Sequence, residues 1–300
     1  ELGSAITYLE KEGFPPLRIK GSTLVKDIIS LDASVSSQYI SALMLIAPSL
    51  KRGLKIRLKG KVSSLPYIVM TLKLLKRIGC ESEMTDGYIS IKPLDRAKVS
   101  RFCVESDWSS ASYYYGMIAL SPLGTRLTLG IFSQESIQGD AKLVSIFEQF
   151  GVMTTFVSNG TIVITKAHPI VMNHFEYELT DYPDLAQTLA VTCLGLGISC
   201  HISGLHTLRI KETDRIRALR NEILKFGANV SISDSSIRID PLQDLKKGIR
   251  VKTYKDHRMA MAFSILSLRA PIYIENPSVV SKSYPKFWED LELIGIKISK

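Results

Sequence analysis

The sequence predicts a two-domain α/β protein assembled from repeated βαβαββ units, and three observations predict it. Four segments run from a strand through an acidic junction into an apolar helix: DASVSSQYISALMLIAP, DWSSASYYYGMIALSPLG, DLAQTLAVTCLGLG and DHRMAMAFSILSLRA. Their junctions, Asp32, Asp107, Asp184 and Asp256, lie 75, 77 and 72 residues apart. A second landmark keeps nearly the same beat, because glycine suited to a left-handed helix end recurs at Gly79, Gly151, Gly227 and Gly295. The order between landmarks is also constant: helix, strand, helix, hairpin. A period above 70 residues exceeds the usual solenoid unit, so these repeats read as subdomains packed about shared cores.

In chain order, AITYLE and LRIKG read as strands after Leu2-Gly3, which stands 76 residues before Gly79 and looks like the same helix-ending landmark. The chain is thus expected to open at the end of a helix, with half of an upstream unit missing. The first complete unit has a helix from Ser36 with Ile40, Leu43, Met44 and Ala47 on one face, then the strand LKIRLKG. In the second unit TRLTLGIF is the strand after the helix. In the third, Lys211-Glu212-Thr213-Asp214-Arg215 is expected to begin a helix whose buried face is Ile216, Leu219, Ile223 and Phe226, followed by the hairpin ANVSISDSSIRID. Residues 1–104 form a partial first domain, the tail of one repeat plus one complete repeat. Residues 105–300 form a second domain, two complete repeats plus a third lacking its closing strand.

Composition agrees with a folded chain of 300 residues, 45% apolar and 22% charged. No apolar run approaches the roughly 18 to 20 residues of a membrane helix, and the amino-terminal residues carry no secretory pattern. The expected setting is the cytoplasm, away from membranes. Cys80, Cys103, Cys193 and Cys200 form no CxxC pair and sit among strand-like or helix-like apolar neighbours, so they read as reduced thiols. The five histidines lack metal spacing, and no Walker, Rossmann, GxSxG or HExxH string occurs. Neither a metal nor an organic cofactor is expected. The net charge of +9 suits anionic partners. The alternating Lys51, Arg52, Lys55, Arg57, Lys59 and Lys61 lack interleaved aromatics, and read as an exposed sheet face rather than a nucleic-acid surface.

Several segments carry candidate chemistry, each with a plain structural alternative. Ser36-Ser37-Gln38 opens a helix whose hydroxyls and free N–H groups suit a phosphate, or simply cap it. Lys211 and Arg215 place two cations around Glu212, or make solvated salt bridges. Arg258 projects from a helix start where an acid is preferred, which hints at an anionic ligand or at snorkelling. Asp184 serves chemistry or N-capping, and Lys282-Ser283-Tyr284-Pro285 precedes the last helix.

Taken in order, SVSSQYISALMLIAP, VSSLPYI, DYPDLAQTLAV, RIKETDRIRAL, YKDHRMAMAFS and SKSYPKFWEDL resemble the motifs of the 5-enolpyruvylshikimate-3-phosphate synthase family over nearly all 300 residues. KETDR followed by DHRMAM is the most specific part, and a related UDP-N-acetylglucosamine enolpyruvyl transferase lacks those strings. The resemblance implies the two-domain enolpyruvyl transferase fold, with βαβαββ units about pseudo-threefold axes and the first domain incomplete. It implies transfer of the enolpyruvyl group from phosphoenolpyruvate to the 5-hydroxyl of shikimate 3-phosphate, through a tetrahedral intermediate, with release of phosphate and without a cofactor. Shikimate 3-phosphate would be bound by Ser36, Ser37, Gln38, Ser64, Tyr67, Asp184, Thr207 and Lys211, and phosphoenolpyruvate by Gln38, Arg215, Arg258 and Lys282. Asp184, Lys211 and Glu212 would be catalytic, Asp184 contacting the attacking hydroxyl and Glu212 protonating the methylene carbon. Thr207 stands where the family commonly has Asn. The family's amino-terminal Lys-Ser pair, its Gly-Asn-Ala-Gly-Thr loop and a further arginine have no counterpart here. On that ground this chain is expected to be a shortened, weakly active or inactive form, prone to self-association through its incomplete first domain. The alternative is a non-catalytic anion-binding or subunit-like protein with the same fold.

Overall fold

The computed structural model describes residues 2–24, 26–99 and 101–299. The chain divides into two compact bodies, Glu1–Cys103 and Val104–Lys300.

In the first body, β1 (Ala5–Tyr8) and β2 (Leu17–Lys20) form an antiparallel hairpin. The complete unit follows as β3 (Ile28–Asp32), α1 (Ser37–Ile46), β4 (Leu54–Lys59), α2 (Leu65–Arg77), β5 (Ser82–Thr85) and β6 (Tyr88–Ile91). Its sheet order is β3-β4-β6-β5, with β3 and β4 parallel and the other pairs antiparallel. Alternation sets the faces, as Leu54 and Ile56 are buried while Lys55 and Arg57 point outward. The buried face packs with Ile40, Met44, Ile68, Leu72 and Leu75 of the two helices. On the outer face Lys55 and Arg57 lie over the Tyr88 ring, at 4.6 and 5.9 Å, an aromatic partner that a neighbouring strand supplies.

The second body begins with α3 (Trp108–Leu120), β7 (Arg126–Leu129), α4 (Leu143–Glu148), β8 (Val152–Val157) and β9 (Thr161–Lys166), a sheet ordered β7-β9-β8. Then come β10 (His174–Glu178), α5 (Ala186–Leu196), β11 (Ser199–Ser203), α6 (Arg215–Lys225), β12 (Val230–Ile232) and β13 (Ile237–Ile239). Their order, β10-β11-β13-β12, repeats that of the first body strand for strand and sense for sense. The last unit has β14 (Ile249–Val251), α7 (His257–Ser264), β15 (Ile272–Ile274) and α8 (Phe287–Leu293), with β14 parallel to β15. The four landmark glycines adopt positive φ, from 73° to 104°.

Two units are less regular than the repeat suggests. Before α3 no strand forms among the described residues; instead Ser106 N–H donates to Ile131 O at 2.6 Å and its Oγ to Gly130 O at 2.8 Å, and the Glu105 carboxylate accepts from Ser133 N, Ser136 Oγ and Trp108 Nε1. The last unit, expected to lack one closing strand, shows neither hairpin strand among the described residues after α8. Cys103 also departs from expectation: it is exposed in an irregular segment, whereas Cys80, Cys193 and Cys200 are buried, and all four are free. No helix among the described residues is long and apolar enough to cross a membrane.

Helices α3 and α5 are apolar nearly all round, and α3, α5 and α7 are almost wholly buried, α3 packing on α5 and α5 on α7. Glycine permits the approach: a Cβ on Gly116 would lie 2.6 Å from Ile265 Cδ1 and 2.8 Å from Thr192 Oγ1.

Candidate active site

In the first body the candidate residues gather where β3 and β4 end. Parallel strands send both following helices back from the same sheet edge, so the starts of α1 and α2 become neighbours. The connection is direct: Ala33 N donates to Lys59 O at 2.8 Å and Ser63 N to Ala33 O at 3.1 Å. Asp32 does not cap α1; its carboxylate accepts from Ser34 N and Oγ and shapes the turn before the helix. Ser36 is the N-cap, its Oγ accepting from Gln38 N at 3.2 Å. Ser37 is buried and Gln38 exposed. Ser64 precedes α2 in left-handed backbone, φ 54°, with no capping bond from its own side chain, and Tyr67 is half-buried one turn later. Two helix starts, with exposed Lys59 at the end of β4 and exposed Lys61 in the loop after it, form a positive, hydroxyl-bearing edge.

In the second body the equivalent strand ends carry charge. Asp184 lies in a short 3-10 turn, Pro183–Leu185, between β10 and α5. It caps nothing: Arg215 Nη1 donates to its Oδ1 and Arg258 Nη2 to its Oδ2, each at 2.9 Å, and Lys211 Nζ stands 3.9 Å away. The KETDR segment also differs from its sequence reading, because α6 starts only at Arg215. Asp214 accepts from Arg217 N and so fixes the helix start, leaving Lys211 and Glu212 in the preceding loop. Being outside the helix frees Glu212 to meet two cations, Arg215 Nη2 at 2.8 Å and Lys282 Nζ.

Arg215 is the centre of this cluster, with 2% of its side chain exposed. Its Nε donates to Asp256 Oδ2 at 2.7 Å and Nη2 also reaches Asp256 Oδ1 at 3.4 Å. Asp256, fully buried, is the N-cap of α7 through Arg258 N at 2.9 Å. A guanidinium suits this task because its planar fork can meet three carboxylates at once. Burial acts to push the Asp184 carboxyl up, but Arg258, Lys211 and Arg215 outweigh it and hold the group well below the usual carboxylate range. Glu212 is treated alike: burial raises it, and the Lys282 hydrogen bond and Arg215 bring it down to about 2. His257 is lowered by burial and then by Arg258. Tyr113, buried on α3, is pushed up to about 12 by burial, with Arg258 and Arg215 pulling the other way.

The fold thus brings Asp184, Lys211, Glu212, Arg215, Arg258 and Lys282 together. Thr207 does not join that network by a hydrogen bond; it is buried, with its Oγ1 lacking a partner. Asp256 was marked in the sequence only as a repeat junction, although it grips Arg215; its place before Arg258 was the available signal.

Comparison with known proteins decides the family. The family profile of EPSP synthase (3-phosphoshikimate 1-carboxyvinyltransferase) matches residues 1–291. A 3-phosphoshikimate 1-carboxyvinyltransferase of Bacteroides fragilis is 43% identical over 302 aligned residues, covering 99% of this chain and 73% of its own length. The chain belongs to the EPSP synthase family. The Salmonella arizonae member is 35% identical, with 98% of this chain and 67% of that protein covered. Among solved structures, EPSP synthase from Acinetobacter baumannii aligns with TM-score 0.77 at 21% identity, over 99% of this chain and 69% of that one. The enolpyruvyl transferase NikO from Streptomyces tendae aligns with TM-score 0.72 at 15% identity, over 99% and 70%. These likenesses establish the enolpyruvyl transferase fold.

Proposed function

We propose that this EPSP synthase family chain transfers the enolpyruvyl group of phosphoenolpyruvate to the 5-hydroxyl of shikimate 3-phosphate, releasing inorganic phosphate. The observation that carries this reading is the cluster about the buried Arg215, in which Arg215, Arg258, Lys211 and Lys282 surround Asp184 and Glu212. Arg215, Arg258 and Lys282 receive the carboxylate and phosphate of phosphoenolpyruvate, with Gln38 as a further contact. Ser36, Ser37, Gln38, Ser64 and Tyr67, joined by Asp184, Thr207 and Lys211, receive shikimate 3-phosphate.

Anionic substrates also solve an electrostatic problem. In the chain as described, Asp184 and Glu212 are both held ionised by cations, so Glu212 has no proton to give and Asp184 is a weak base. A bound phosphate and carboxylate compete for the same guanidinium and ammonium groups. As those cations turn toward substrate, both carboxyls rise toward values at which they can exchange protons near neutrality. Asp184 then takes the proton of the 5-hydroxyl as its oxygen bonds to C2 of phosphoenolpyruvate, and Glu212 delivers a proton to C3. In the second half the C2–O bond to phosphate breaks, the proton held by Asp184 passes to the leaving phosphate, C3 returns its proton to Glu212, and the enol ether remains. Lys211 neutralises charge between the two substrates.

The test is phosphate release by the 300-residue chain with both substrates present. Release that needs both, and that falls by roughly 10²- to 10⁴-fold in Glu212→Gln with folding unchanged, is the expected result. Specific binding of shikimate 3-phosphate with no phosphate release would instead favour a non-catalytic anion-binding protein.

A further inference from the structure

Tyr254 and Lys255, immediately before Asp256, both hold left-handed backbone, with φ of 53° and 59°. Side chains of the L series rarely adopt that conformation, and two in succession need something to hold them. What holds them is Glu222, a fully buried carboxylate on α6. It accepts from Lys252 N at 2.9 Å and from Tyr254 Oη at 2.7 Å, one bond before the turn and one within it. Lys225 neutralises it through a third hydrogen bond and also donates to Arg250 O at 3.0 Å. Burial and the Glu222 carboxylate push the Tyr254 phenol up to about 12, which keeps Oη a donor.

Glu222 stands seven residues after Arg215, so the two share one face of α6. The helix therefore grips the same connection twice: Glu222 at the turn, and Arg215 at Asp256, two residues beyond Tyr254. Asp256 in turn fixes Arg258 through the helix cap. We propose that Glu222 and Tyr254 form a positioning clamp, which sets the place of Asp256 and so aims Arg215 and Arg258 at the enolpyruvyl donor. The clamp touches no substrate; its effect on catalysis rests on the reading of Arg215 and Arg258 as phosphoenolpyruvate ligands.

Tyr254→Phe removes one bond of the clamp at nearly constant volume, and Glu222→Gln alters its charge. Both variants would be made in the 300-residue chain and judged by two readouts. In steady-state kinetics, the KM for phosphoenolpyruvate should rise about tenfold, while kcat and the KM for shikimate 3-phosphate change less than about twofold. In nitrogen-edited NMR, the Nε–H signals of Arg215 and Arg258 should shift or broaden in Tyr254→Phe, with the thermal midpoint retained. A uniform loss across kcat and both KM values, or unaltered guanidinium signals, would overturn the clamp. If the parent chain releases no phosphate, or if Arg215→Ala leaves phosphoenolpyruvate affinity intact, the functional reading fails instead. The guanidinium signals then still decide for or against the clamp.

Discussion

At the scale of residues, the second body concentrates charge that water would otherwise solvate. Arg215 and Asp256 are buried together, so their pairing has to compensate the loss of hydration of both. The depressed carboxyls make stability depend on pH, and the sign follows from linkage. Asp184 and Glu212 lie below their ordinary values of 3.8 and 4.5 when folded, so their contribution is complete above those values. It is lost as pH falls from 4.5 toward the folded value of Glu212 near 2. Urea midpoints taken from pH 6 to pH 3 should therefore drop, and Glu212→Gln should flatten part of the fall. Identical acid slopes in both proteins would contradict the electrostatic assignment. This scale was only partly legible in sequence. Asp184 reads equally well as an N-cap, because a helix-entry carboxylate has the same local pattern whether its partners are backbone amides or two arginines 31 and 74 residues away. Glu222 gave no signal at all, since a glutamate inside an amphipathic helix normally reads as solvated.

At the scale of elements, periodicity and punctuation were the most readable features. The left-handed glycines follow the second helix of each unit as their spacing suggests, and the alternation in β4 sorts Leu54 and Ile56 from Lys55 and Arg57. The start of α6 at Arg215 is not legible in sequence because Lys211-Glu212-Thr213-Asp214 contains several residues compatible with a first turn, and only the Asp214 side chain selects the boundary. Close helix contact was not visible either, although Gly116 within α3 is its trace. Gly116→Ala should destabilise the second body by about 1–3 kcal/mol, since the added methyl must displace Ile265 or Thr192. Chemical denaturation would measure it, and an unchanged midpoint would mean that the helices can separate freely.

At the scale of the whole molecule, each body has its own hydrophobic cluster. The first draws its buried residues from Ile29 to Ile91, and the second from Trp108 to Leu291. A fragment of residues 104–300 should therefore fold cooperatively by itself. Dispersed NMR signals and a single thermal transition would support this, whereas a broad, non-cooperative melt would show that its core depends on the first body. The repeat arithmetic made the architecture legible because the same strand order recurs in both bodies. It does not show that no strand precedes α3 among the described residues, where hydrogen bonds of Glu105 and Ser106 secure the segment in place of a ladder.

The enclosure of Arg215 sets apart two populations of ion pairs. Lys92 and Glu81, both largely exposed, sit in the reach of mobile counterions, and dissolved salt weakens such contacts over a Debye length of about 8 Å at physiological ionic strength. Arg215 and Asp256 meet with both side chains enclosed, so dissolved salt screens that contact least. Changes in ionic strength will thus loosen the protein's outer charges while leaving the aim of its central guanidinium nearly constant.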